Sequence, residues 1–502
     1  FTFRIFELGD PMKLVKGISV LSAAIMLAAC GGDDDETKIL EVEKQVPVAL
    51  AELGLTGDDT RYAFSSKVLD DANTSSVATT GQITRHLLIN ELKNYIGSGE
   101  FQGLTDHATA LANLNFIYAT GTKNLDSSNA AQASLVSVNV YTEGAEATSV
   151  NTSVKTSGAT LEQSLFSDLS TDKNLKGKLA GQDNDLTHAE FVGWNVAGDL
   201  QEQPNALIQT WFDQLATLAT DGDVDTTVVT AEGLDLQQLV QKFLLGGVTY
   251  SQAAEDYLKA GKGLLQQNST GDKSNTKVYT TLEHQWDEGF GYFGAAQDYL
   301  AYTDVEMAGQ ADHDTDENGQ IDFYSEYSFG NSVNAVKRDK GATSPTYFSE
   351  NAMMAFIQGR QIIQDNYGTN PADSAVFHAA IERQAELALN NWENSIAATV
   401  IHYINDVTAD MDNFGTEEYS LANHAKHWSE MKGFALGLQF SPVGVAQISL
   451  DDLKAVHAHF AEAPVLSTAS AEDIAAYKTA LLDARTILKT AYSFSAENVA
   501  NW

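Results

Sequence analysis

The stretch Asp314-Thr315-Asp316-Glu317-Asn318-Gly319-Gln320-Ile321-Asp322 places oxygen-bearing side chains at alternate positions around a glycine. Counting from Asp314, acids or amides stand at positions one, three, five and nine, glycine at six and isoleucine at eight. That is the pattern of a calcium loop: Ca2+ takes roughly six to eight oxygens in a flexible cage, and glycine at six permits the sharp turn. Gln320 would contribute its backbone carbonyl. Position twelve, where a bidentate glutamate belongs, holds Ser325, and Glu326 comes one residue late. The expected Ca2+ ligands are therefore Asp314, Asp316, Asn318, Gln320, Asp322 and Glu326. Either Glu326 reaches in from an altered turn, or the site is weakened. A lone loop of this kind suits a structural role better than a sensing one. The competing reading is an acidic surface turn with no ion.

Two further segments combine histidine with carboxylates. His284, Asp287 and Glu288 are spaced so that both acids lie beside the imidazole on one helix face. His424, His427 and Glu430 repeat at three-residue steps. Carboxylates so placed can hold a ring N–H, raise its basicity, or join it in ligating a borderline metal such as iron or zinc. The plain alternative is a solvated polar face. Neither segment contains H-E-x-x-H, so the usual zinc-protease arrangement is missing.

The elements that carry these residues read as helical. Apolar residues recur at helical spacing over 76–96, 203–220, 234–245, 251–265, 278–302, 349–365, 372–405, 418–440, 450–461 and 471–492, with Ser251 and Asp451 as capping residues. Leu282, Trp286, Phe290, Phe293 and Leu300 make one stripe; Leu421, Ala425, Trp428, Ala435 and Leu438 make another. Gly289, Gly291 and Gly294 sit in the first of these helices, and each glycine costs about 1 kcal/mol there. A closely approaching helix would compensate. Gly246-Gly247 is expected to turn the chain in a tight helical hairpin, and 130–158 and 177–198 read as long loops or insertions. Trp286-Asp287-Glu288 and Trp428-Ser429-Glu430 share W-x-E, each preceded by a histidine and followed by Gly-Phe, as a duplicated bundle would give and as chance would also give. The expected fold is all-α, with two related helical bundles packed together.

The formal net charge of −38 repels nucleic acid and attracts cations. Cys30 is the only cysteine, which excludes an internal disulfide and any site needing two thiolates. Met12 opens a segment with Lys13 and Lys16, an apolar run from Gly17 to Leu27, and then Leu27-Ala28-Ala29-Cys30-Gly31. That is an export signal with cysteine at the cleavage point, its apolar run shorter than the roughly twenty residues a spanning helix needs. Residues 1–11 read as upstream translation, 12–29 as a lipoprotein signal peptide, 30–61 as an acidic tether and 62–502 as the folded body. Acyl chains on Cys30 would anchor the protein in a membrane. Gly31, rather than Asp, after the cysteine resembles the outer-membrane sorting rule.

The motif Ala425-Lys426-His427-Trp428-Ser429-Glu430 resembles the G-x-H-x-x-E of imelysin-like bacterial lipoproteins, with Ala for Gly; Leu282–Asp287 matches it less closely, with Leu for Gly and Asp for Glu. Tyr62-Ala63-Phe64, Ser75–Arg85, Gly233–Gly247, Glu283–Gly294 and Lys426–Phe440 carry a closer resemblance to a branch of that group, the domain of unknown function 4856 family. The resemblance implies an exported helical lipoprotein that binds a metal or iron-linked ligand in uptake, facing periplasm or cell surface, with an outer-membrane receptor as partner. A metal-dependent hydrolase, with Glu288 or Glu430 as base, is the alternative from another class. A calcium-stabilised structural surface protein is the third.

Overall fold

A computed structural model of the chain describes residues 60–502, except 124, 127, 137, 142–151, 156–159, 164, 222–227, 270–276 and 443. The expected signal peptide, Cys30 and nearly all of the acidic tether lie outside the described residues. Helix accounts for 60% of the structure and strand for 3%, so the fold is all-α. Its principal helices are α1 (Thr80–Ile96), α2 (Gln203–Thr220), α3 (Leu236–Leu244), α4 (Thr281–Phe293), α5 (Gly330–Lys340), α6 (Phe348–Asp365), α7 (Ala375–Asp412), α8 (Leu421–Gly437), α9 (Leu450–Phe460) and α10 (Ala471–Ala491).

Side-chain caps set most of these starts. Thr280 and Glu283 form a reciprocal capping box at α4, and Asp235, Ser374, Ser420, Ser449 and Ser470 accept an N–H from the first turns of α3, α7, α8, α9 and α10. The expected cap Asp451 is instead in the first turn of α9, where an acid meets the positive end of the helix dipole. The helix α4 stops at Phe293 because Gly294 adopts φ +74°, which other residues resist, so Leu300 falls outside the stripe.

The expected hairpin at Gly246-Gly247 does not form. The chain runs on from α3 through two π-helical turns, Leu245–Tyr250 and Ala253–Tyr257, and Ser251 lies between them rather than capping a new helix. The glycine there serves close approach: a Cβ on Gly246 would lie 2.5 Å from the Gly437 Cα of α8. Gly289 and Gly291 of α4 do the same against Leu258 and against Gln82 and Thr79, as their positions suggested.

The helix α7, with 38 residues, is the spine, about 57 Å long at 1.5 Å per residue. It packs against α5, α6, α8 and α10, while α4 joins α1 to α6 and α3 joins α1 to α8. The buried apolar side chains form one continuous core from Tyr62 to Trp502. Both tryptophans of the sequence echo are fully buried, but in different settings: the Trp286 indole N–H donates to the Phe356 carbonyl at 2.9 Å, and that of Trp428 to the Tyr477 hydroxyl at 2.7 Å. Among the described residues the strand content is three two-stranded pieces, β1 (Ser65–Ser66) with β2 (Asp71–Ser75), β3 (Val138–Tyr141) with β4 (Thr152–Lys155), and β5 (Thr160–Leu161) with β6 (Gln320–Ile321). The last pair is parallel and holds the acidic loop against the body.

Candidate functional site

The acidic loop closes around its glycine as its spacing requires. Gly319 takes φ +84°, and the Asp314 carboxylate accepts the N–H groups of Asn318 at 3.0 Å and Gly319 at 2.8 Å. Asp316 accepts the Asn318 N–H at 3.1 Å, and the Asn318 side-chain oxygen accepts that of Gln320 at 2.7 Å. Ile321 is fully buried beneath the loop, in β6.

The extra residue before Glu326 is absorbed by a turn. Asp322 accepts the N–H groups of Tyr324 at 2.9 Å and Ser325 at 2.6 Å, together with the Ser325 hydroxyl, and the Glu326 N–H closes on the Asp322 carbonyl. Glu326 thereby swings back under the loop, where its carboxylate accepts the N–H groups of Thr315 at 2.7 Å, Asp316 at 3.3 Å and Asp322 at 3.1 Å. Ligand oxygens of Asp314, Asp316 and Glu326 lie within 4.8 Å of one another, and among the described residues this is the group of acids and histidines able to hold a metal ion. Asp322 is outside it, with its carboxylate committed to the turn, and Asn318 and Gln320 are exposed.

The surroundings penalise the charged forms of the carboxyls here. Burial holds Glu326 above the usual carboxylate range, and burial together with the Glu326 charge pushes Asp312 up to about 7. Thr315 ties the loop to Asp298 at 2.8 Å, and His313 stacks on Tyr302 with ring centroids 3.8 Å apart.

The first histidine segment does not assemble a ligand set. Asp287 turns into the core, where Arg360 of α6 donates to it at 2.9 Å, the Tyr62 hydroxyl at 2.7 Å and the Ala78 N–H at 3.2 Å. Arg360 also donates to Glu283 at 2.9 Å and to the Ser76 hydroxyl at 2.8 Å, and the whole group is fully buried around Phe64. Burial opposes the guanidinium's charge, but Asp287 and Glu283 outweigh it and hold Arg360 above its ordinary value. Asp287 is thus the inner half of a structural ion pair. Glu288 accepts from Gln82 at 2.8 Å and Gln285 at 3.1 Å, with His284 3.8 Å away and stacked on Tyr279.

The second segment is rearranged by a partner from the neighbouring helix. His427 pairs through Nδ1 with Asp410 of α7 at 2.8 Å, which raises its pKa, while Glu430 lies 3.2 Å from Lys242 of α3. The fully buried His424 donates from Nε2 to the Val465 carbonyl at 3.1 Å and presents Nδ1 to Asp410 at 3.8 Å. Burial raises Asp410, but hydrogen bonds from His424 and His427 outweigh it and hold the carboxyl below its ordinary value.

The comparison with known families decides the chain's kinship. Residues 59–445 match the family described as Domain of unknown function (DUF4856). The chain belongs to this family. No curated protein matches it, and no solved structure does. In this DUF4856 protein the matched stretch holds the acidic loop, the Arg360 network and both histidine segments, and it ends before α9 and α10.

Two partners escaped the reading of spacing. Arg360 follows Ala352 and Phe356 at four-residue steps and precedes Ile363, so it occupies the buried stripe of α6. An arginine in an apolar stripe announces a buried carboxylate, and that signal was legible. Asp410 meets His427 from another helix, and no spacing along one chain segment reveals that.

Proposed function

We propose that this DUF4856 protein is a non-enzymatic, cation-binding lipoprotein, exported and held at the outer membrane through Cys30, whose acidic loop takes Ca2+ as a structural ion. The convergence of Asp314, Asp316 and Glu326 carries the calcium reading. All three offer hard oxygen ligands, the backbone path follows the loop pattern to Gly319, and Glu326 supplies the carboxylate missing at position twelve. Asn318 and backbone carbonyls stand close enough in sequence to complete the oxygen cage. The export reading rests on Leu27-Ala28-Ala29-Cys30, and a part in metal or iron-linked uptake through an outer-membrane partner rests on the family resemblance.

Calcium titrated into the chelator-treated protein by calorimetry is the direct test. One site per chain is expected, together with a rise in melting temperature; Glu326→Gln and the solvent-facing variant Asp316→Asn should each weaken binding at least about tenfold, each removing one charged ligand. Absence of both heat and thermal shift in the parent protein would remove the calcium reading.

A further inference from the structure

The acidic loop carries a second chemistry, on its amide rather than its carboxylates. Asn318-Gly319 is the only Asn-Gly pair in the chain. The amide carbon of an asparagine is open to attack by the main-chain nitrogen of the next residue, which makes asparagine a labile side chain. Glycine puts no side chain in the way of that nitrogen. The surrounding space is open too: both residues are exposed, and a Cβ built on Gly319 would meet nothing within 4 Å.

The hydrogen bonds around the pair are placed as this reaction needs them. The Asn318 side-chain oxygen accepts the Gln320 N–H at 2.7 Å, an Asx-turn whose closed ring contains both the Asn318 amide carbon and the Gly319 nitrogen. That N–H sits where negative charge develops when the amide carbon is attacked, as an oxyanion donor does. The Gly319 N–H, whose proton must leave, donates to the Asp314 carboxylate at 2.8 Å. The amide nitrogen, which must depart, donates to Asp316 at 3.0 Å, and the two partners together fix which way the amide faces.

We propose that Asn318 is a self-modifying site, which closes on Gly319 to a succinimide and opens in water to aspartate or isoaspartate. The Gly319 nitrogen bonds to Asn318 Cγ and gives its proton to Asp314. Asp314 passes that proton to the departing amide nitrogen, the Cγ–Nδ2 bond breaks, and ammonia leaves. Water entering at Cγ leaves aspartate, a charged oxygen ligand in place of a neutral one. Water entering at the main-chain carbonyl leaves isoaspartate, which lengthens the backbone just ahead of Gln320 and Ile321 of β6. Calcium brakes the closure, a half of the proposal that rests on the calcium reading: an ion drawing in Asp314 and the Asn318 oxygen removes the proton acceptor and holds the amide in place.

The test holds the purified protein at neutral pH in chelator, in calcium, and in chelator with urea, and follows each asparagine by peptide mass mapping with isoaspartate detection. In chelator Asn318 should convert ahead of every other asparagine, and about tenfold faster than in the urea-unfolded chain, because folding supplies the proton acceptor and the oxyanion donor. Asp314→Asn should slow it by about the same factor. Asp314 also shapes the turn, so the parent's folded-to-unfolded ratio decides if that variant misfolds. Calcium at about ten times its Kd should slow conversion about tenfold, in proportion to the loops left empty. The proposal is overturned if Asn318 does not convert, or converts no faster folded than unfolded. Equal rates with and without calcium overturn the brake where calorimetry shows the ion bound; where it shows none, they are the result expected of an unbraked site, and the loss falls on the calcium reading alone.

Discussion

Lys432 of α8 is fully buried, donates to the Ala461 carbonyl at 2.5 Å and lies 5.7 Å from the centre of the Trp194 ring. Burial pulls its pKa down to about 7, only partly offset by Glu462. A lysine depressed in the folded state binds fewer protons there than in the unfolded chain between about pH 7 and the free value of about 10.4, so folding stability rises with pH across that window. The ammonium therefore costs about 4–5 kcal/mol below pH 7 and almost nothing at pH 10. Lys432→Met keeps the aliphatic stem and removes the charge, giving up one hydrogen bond and one ring contact worth about 1–2 kcal/mol together. Urea unfolding of both proteins, followed by tryptophan fluorescence, should show Lys432→Met the more stable at pH 6.5. That advantage should shrink by about 3 kcal/mol by pH 9.5. Lys93, lowered to about 8, titrates in both proteins and cancels from the difference. His457 beside it is held far below its ordinary value by burial and by Lys432 and stays neutral throughout. A difference between the two proteins that is constant with pH would refute the reasoning.

Arg360→Met should destabilise the fold by about 3–5 kcal/mol, because it strands the buried Glu283 and Asp287 carboxylates, and adding Glu283→Gln and Asp287→Asn should recover most of the urea midpoint. Gly246→Ala should lower the melting temperature more than Gly437→Ala, since the first new Cβ would sit 2.5 Å from its neighbour's Cα and the second 3.1 Å; the overpacking cost is about 1–3 kcal/mol. Asp410→Asn should return the His427 pKa toward about 6.5, read by proton NMR of the imidazole. Because the parent's value is raised, the stability His427 contributes is full below the unfolded pKa and fades as pH climbs through the folded one, and Asp410→Asn should flatten that fall.

The helical class was legible because apolar residues at helical spacing are a local property, and Leu282, Trp286, Phe290 and Phe293 indeed form a buried face. The turn of the acidic loop was legible for the same reason, since the residues that form it lie within a short stretch. What spacing alone misjudged were features set by neighbours. Gly246-Gly247 has the composition of a turn, yet α8 passing at Gly437 makes it a contact point within a continuous helical run. Asp287 has the spacing of a histidine's partner, yet Arg360 from a helix remote in sequence claims it. His427 finds its carboxylate on α7 rather than at Glu430. In each case the deciding group lies outside the segment that suggested the role.

The pairing of β5 with β6 gives the acidic loop an unusual neighbour. Across its short ladder, Gln320 and Ile321 face Thr160 and Leu161, a segment with no matching set of acids, instead of a second loop of the same kind. An ion entering there would have no twin to communicate with. Occupancy should consequently climb in a simple hyperbola, with a Hill slope of one, and each increment would fasten residues far earlier in the chain to the helical body. With the proposed ion bound, such a device would act as a graded clasp rather than a trigger.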